Sequence, residues 1–155
     1  MGKMLSLKIL NSKDAKKILK IISEHWGAEI DKDYAFLINS KNNVYIINKE
    51  VGEFPLETMR INSMGLYFGE LGEDCLRLSI DGSQIVGPHA KKNVVEASKE
   101  EMASWLRGND LDKEFSGSNG FVILKHGKDY IGCGRYSNGT IKNFVPKTRR
   151  IKSAD

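Results

Sequence analysis

The chain has 155 residues, 40% of them hydrophobic and 28% charged, with a formal net charge of +4, which fits one ordinary domain or two small ones and argues against a disordered polyelectrolyte. Its apolar runs, such as residues 121–124, fall far short of the roughly 20 residues that span a bilayer, and residues 1–10 lack the apolar core of a signal peptide, so a cytoplasmic protein without membrane contact is expected. Cys75 and Cys133 are far apart and form no Cys-x-x-Cys pair, which speaks against a zinc site and predicts two buried, reduced thiols.

Residues 4–10 read as a strand. A helix follows from Ser12, where Ala15, Ile18, Leu19, Ile22 and Trp26 recur every three or four positions and share one face. Asn11 or Ser12 can cap its start and Gly27 its end. Lys13, Lys16, Lys17 and Lys20 lie elsewhere around the helix and read as solubilising charges. Residues 34–38 and 44–47 are β-rich runs flanking a turn-forming cluster at 39–43, so they predict a hairpin. Glu53-Phe54-Pro55 interrupts regular structure, because proline cannot donate to a ladder. Residues 64–71 read as a short or bulged strand, with Gly65 and Gly69 as the punctuation.

Residues 76–80 predict a strand opening a second unit, and 82–86 a helical turn stopped by Gly87-Pro88. Residues 93–96 predict another strand. Ser98-Lys99-Glu100-Glu101 is a capping box, so Met102, Trp105 and Leu106 become the apolar face of a short helix that Gly108 ends. Residues 121–124 and 129–136 are strands joined through Gly127. Asn138-Gly139 is a two-residue hairpin signal, because both positions favour positive φ, and 140–145 is the returning strand. Short strands, tight turns and two small helices suggest a partly open barrel.

Catalytic constellations are hard to find. His25, His89 and His126 have no metal-ligand spacing, and no Gly-x-Ser-x-Gly or phosphate loop occurs. Gly132-Cys133-Gly134 begins like a dinucleotide fingerprint, but Ser137 stands at the third glycine and the segment lies in a hairpin. Asp31 and Asp33 read as solvated loop carboxylates. No catalytic residue, metal or cofactor is expected. The charge distribution is more telling. Residues 1–75 hold 10 basic and 11 acidic side chains, whereas 125–152 hold eight basic residues and one acid. A concentration of this kind suits a polyanion partner, although a charge run by itself is equally compatible with a solvated face.

Three segments carry a resemblance. They are Asp81-Gly82-Ser83-Gln84-Ile85-Val86-Gly87-Pro88-His89-Ala90-Lys91-Lys92-Asn93-Val94, then Trp105-Leu106-Arg107-Gly108, and the tail from 121 to 150 with Ile131-Gly132-Cys133-Gly134-Arg135 and Pro146-Lys147-Thr148-Arg149-Arg150. Together they resemble a PUA domain. The pattern is similar to archaeal proteins of the Nip-seven type, a ribosome-biogenesis family, and to PUA domains attached to Nop/Sun-type RNA cytosine-5 methyltransferases. The resemblance covers about residues 76–152. It implies an α+β protein with an amino-terminal mixed α/β, pre-PUA-like domain at 1–75 and a PUA-like pseudo-barrel with short helices at 76–155.

It further implies RNA held in a groove, with Gly82, Ser83, Gly87, Lys91 and Lys92 on a helix-and-loop side. Lys142, Lys147, Arg149, Arg150 and Lys152 form the strand-and-tail side. The implied function is a non-catalytic, RNA-binding accessory factor in ribosome biogenesis or in rRNA or tRNA maturation. The alternative is an adaptor whose amino-terminal half engages ribosome-assembly proteins or a separate RNA methyltransferase. A methyltransferase in this chain would need a cofactor-binding βαβ unit, for which the PUA-like half leaves no room.

Overall fold

The computed structural model describes residues 7–30, 34–48 and 65–151. The first part of the predicted opening strand, Asp31, Asp33, the Glu53-Phe54-Pro55 interruption and Lys152 lie outside the described residues. Strand β1 (Lys8–Ile9) precedes helix α1 (Ser12–Trp26), which Asn11 caps by accepting from the Asp14 N–H at 2.8 Å. Gly27 ends α1 with φ +64°, a left-handed conformation that favours glycine. Ile18, Ile22 and Trp26 are buried, as the helical spacing predicts, and the lysines face outward.

The first sheet is an antiparallel meander. Its strands β2 (Tyr34–Ile38), β3 (Asn43–Asn48), β4 (Leu66–Leu71) and β5 (Leu76–Leu78) follow β1 in order. The expected hairpin is β2–β3. In its turn, the Asn39 side chain accepts from the Lys41 and Asn43 backbones at 2.9 and 3.0 Å. A bulge does occur in β4. Val44 faces Gly69 and Tyr45 faces Tyr67, which leaves Phe68 as the extra residue. Its carbonyl accepts from the Ser79 N–H at 2.9 Å, so the irregularity is stitched to the start of the next helix.

Residues 76–78, expected to open a second unit, are paired with β4 inside the first sheet. Helix α2 (Ile80–Val86) and a 3-10 turn (Gly87–His89) then lead into the second sheet. Its strands are β6 (Val94–Glu96), β7 (Leu111–Asp112), β8 (Gly120–His126), β9 (Asp129–Ser137) and β10 (Thr140–Lys142), in the order β6-β8-β9-β10-β7. Sequence patterning missed two features. The two-residue β7 is too short to show a period, and β6 pairs with β8 in parallel, a long-range choice that no local turn signals. The Asn138-Gly139 turn has φ of +47° and +89°, as the hairpin signal requires.

The second sheet separates two cores because strand side chains alternate faces. Ile123 and Cys133 join α1 and the first sheet on one side. Val122, Leu124, Tyr136 and Ile141 meet Trp105 of α3 (Lys99–Leu106) on the other. Gly132 and Gly134 fall on the Trp105 face, opposite Leu124 and Val122. A Cβ on Gly134 would stand 2.5 Å from the indole and 2.6 Å from Ile141. The glycine pair that begins like a nucleotide motif is thus a floor for tryptophan.

The capping box of α3 is complete: Ser98 N–H donates to Glu101 Oε1 at 2.9 Å, and Glu101 N–H donates to Ser98 Oγ at 3.1 Å. The Ser98 N–H holds the Glu101 carboxyl below its ordinary value, with Lys113 assisting at 2.9 Å. A lowered carboxyl stabilises the fold above its unfolded value and loses that contribution as pH falls through the folded one. Denaturant melts on the acid side of about pH 4.5 should therefore show a stability decline that Glu101→Gln reduces. An identical decline in the variant would show that this carboxyl contributes nothing there. Ser98→Ala, which removes the other half of the box, should cost about 1 kcal/mol at neutral pH.

Candidate functional site

The predicted helix-and-loop side is largely committed to packing. Gly82 donates its N–H to Ser79 Oγ at 2.8 Å and lies where any Cβ would strike the Phe68 carbonyl. Ser83 is fully buried and donates its hydroxyl to the Ser79 carbonyl at 2.8 Å. Gly87 is also buried, and a Cβ there would run into the Tyr130 ring. These three residues face protein, not solvent. Their glycine and serine character reflects close helix–strand approach.

Lys91 and Lys92 have exposed side chains, but their backbone N–H groups reach the Trp26 carbonyl at 2.8 and 3.2 Å. Asn93 adds a side-chain donor to the His25 carbonyl at 2.6 Å. Together they satisfy the last carbonyls of α1, which a helix end otherwise leaves without partners. His25 Nε2 in turn donates to the Phe121 carbonyl at 2.6 Å. The 87–93 loop is a seam between the two sheets.

The strand-and-tail side does meet the helix, though at the other end of α2. Arg149, in a 3-10 turn (Lys147–Arg149), pairs with Asp81 at 3.1 Å. Arg150 donates Nε to the Val145 carbonyl at 3.0 Å and lies against Gly108, whose φ is +98°. Ile151 N–H reaches the Leu106 carbonyl at 2.9 Å. The tail is therefore docked, and part of its charge is spent holding it down. The exposed Lys142, Lys147 and Arg149 stand beside it, whereas Lys91 and Lys92 belong to the α1 seam.

Between α2, β9 and the tail lies a groove of about 290 Å³. Its walls bring in residues that charge counting passed over: Tyr67 from β4, Arg77 from β5 and Phe144 after β10. Arg77 stacks on Phe144 with its guanidinium carbon 4.5 Å from the ring centroid, and it pairs with Glu70 at 2.7 Å. Lys142 Nζ is 5.7 Å from the same ring. Tyr45 and Tyr67 continue the aromatic surface, with ring centroids 5.4 Å apart. Burial raises the Tyr67 hydroxyl above its ordinary value despite Arg77, so it stays a protonated donor at neutral pH.

Strand register places Arg135 opposite Lys142 across β9–β10. Like charges directly opposite destabilise a sheet, and neither residue is in an ion pair among the described residues. The nearest available signals in the sequence were the Arg135 and Lys142 charges themselves. Their pairing required the hairpin register set by Asn138-Gly139.

The cysteine on the groove wall is not poised as a nucleophile. Burial pushes the Cys133 thiol up to about 12, so it carries no thiolate at neutral pH. Cys75, expected buried, is exposed in the short link between β4 and β5. Among the described residues no group of three His, Cys, Asp or Glu side chains could hold a metal, and no helix is long and apolar enough to cross a membrane. Fixed cations beside aromatic faces suit binding of an anionic, base-bearing chain.

Comparison with known proteins agrees with this reading. Residues 92–151 match the family described as the Methyltransferase RsmF PUA domain. The chain is 26% identical to a ribosomal RNA small subunit methyltransferase F of Vibrio atlanticus, covering 87% of this chain and 29% of that protein. The corresponding Vibrio campbellii protein is 26% identical, with 95% and 31% covered. That of Aeromonas hydrophila is 24% identical, with 73% and 25% covered. The chain thus spans less than a third of the length of each of these relatives.

Proposed function

Because this chain carries a PUA domain similar to those of Nop/Sun-type RNA methyltransferases, we propose that it binds RNA without catalysing its modification, as an accessory factor in rRNA maturation. The observation that carries the reading is the docked tail. Its Arg149 lines an aromatic groove, and Lys142 Nζ lies 5.7 Å from the Phe144 ring of that groove, in a domain whose type suggests RNA binding. Cations of this kind displace counterions from phosphates, a sequence-independent source of affinity. The assignment of RNA contact to residues 76–155 extends to Tyr67 of the first sheet, because the groove is shared.

A second reading is favoured by the relatives named as rRNA methyltransferases. In it the nearly neutral residues 1–75 contact a separate RNA-modifying enzyme or a ribosome-assembly protein, and the groove delivers RNA to it.

Filter binding of the protein to single-stranded rRNA fragments across a salt series tests the main reading. With about five phosphate contacts, log affinity should fall against log salt with a slope near −3.5, about −0.7 per contact. Affinity that is negligible at low salt, or indifferent to salt, overturns it. Methyl transfer by the purified protein overturns the non-catalytic half of the proposal.

A further inference from the structure

We propose that the groove takes one unpaired nucleotide, its base stacked on the Phe144–Arg77–Tyr67 surface and its adjoining phosphate held by Arg135 and Lys142. This deepens the RNA-binding reading and rests on it. At about 290 Å³ the groove lies at the small end of ligand cavities, which run from about 300 to 1,000 Å³. It has room for a single planar group and none for a duplex.

The chemistry of the walls narrows the occupant. A guanidinium lying 4.5 Å over a phenyl ring, with a second aromatic residue beside it, is a stack of planar groups bordering an open recess. Bases add to such surfaces by stacking, which tolerates any sequence because every base has a π face. Glu70 fixes the Arg77 fork at 2.7 Å and Phe121 supports Phe144 with ring centroids 6.3 Å apart. The platform is therefore held before any ligand arrives, which lowers the ordering cost of binding.

The phosphate site follows from the strands. Arg135 is two residues from Cys133 within β9, so the two share a face of the sheet, and Lys142, at the end of β10, holds its Nζ 5.7 Å from the Phe144 ring. Cys133 and Phe144 line the groove, so the opposed Arg135 and Lys142 stand one step along from it. A like-charged cross-strand pair is unfavourable in the free protein and is relieved by an anion between the two side chains. A backbone phosphate next to a stacked base supplies such an anion.

Two measurements on the 155-residue protein decide the matter. Affinity is compared among a single-stranded RNA pentamer, the same pentamer lacking its central base, and a blunt duplex of the same sequence. The pentamer should bind about tenfold more tightly than either competitor. A pentamer carrying 5-iodouridine at its centre is then irradiated in complex, and the crosslinked peptide is sequenced. The crosslink should fall on Phe144 or Tyr67, and Phe144→Leu should abolish it at Phe144 and weaken pentamer binding about tenfold. The abasic comparison needs no protein variant, so a misfolded Phe144→Leu leaves the test intact. Salt-dependent binding that treats the three RNAs alike, or crosslinks confined to α1, overturns the stacking site while leaving RNA binding standing. No binding of any of the three at low salt overturns both.

Discussion

Trp105→Ala should cost about 3–5 kcal/mol of unfolding free energy, enough to unfold much of a marginally stable domain. The indole is fully buried and sits at the centre of the second core. Its floor is built for it: Gly132 and Gly134 remove two side chains from the β9 face it covers. Gly134→Ala should cost about 1–3 kcal/mol for the opposite reason, since the added methyl group overlaps the ring. The two losses should not add. Removing the indole relieves one of the three close approaches the methyl group meets and leaves Ile141 at 2.6 Å and the Lys142 carbonyl at 2.7 Å, so the double variant should be more stable than the summed single losses imply while still losing stability to the methyl group. Chemical denaturation of the three variants measures this. Strict additivity would show that the glycine is not there to receive the tryptophan.

The second large effect separates stability from binding. Lys142→Glu should stabilise the protein by about 0.2–1 kcal/mol, because it turns an opposed like-charge pair into an attractive one. The same change should weaken binding to single-stranded RNA about tenfold at low salt and make the salt slope shallower by about 0.7. Reversing both Arg135 and Lys142 to glutamate should restore the repulsion, remove the stabilisation and lower affinity by about a hundredfold. A variant that gains stability while losing affinity identifies a site kept for its ligand at a cost to the fold. If Lys142→Glu leaves affinity unchanged, these two charges are not phosphate contacts.

Arg149 shows why charge alone is a poor guide to such sites. The sequence presents it as part of a free basic tail. In the fold it pairs with Asp81 and remains about half exposed, with 47% side-chain accessibility. It therefore anchors the tail to α2 as well as presenting charge. Gly82, Ser83 and Gly87 make the complementary point. Their type and spacing were legible in the sequence, but the reason for them is the approach of α2 to Phe68 and of the following turn to Tyr130.

Local chemistry determined much of this protein by itself. Helix α1 followed from its three-and-four spacing and caps, α3 from its capping box, and two hairpins from turn residues, because each depends on neighbours a few positions apart. The domain type came instead from a resemblance carried by short motifs, and residues 92–151 match the family described as the Methyltransferase RsmF PUA domain. The tertiary structure decided what no local pattern encodes. It paired β6 in parallel with β8, bound β5 into the first sheet and turned the Gly-x-Gly motif towards Trp105. It also assembled the groove from Tyr67, Arg77, Cys133 and Phe144, four residues spread over nearly eighty positions of sequence. A site of that kind appears only when strand register is set, since register fixes which side chains share a face.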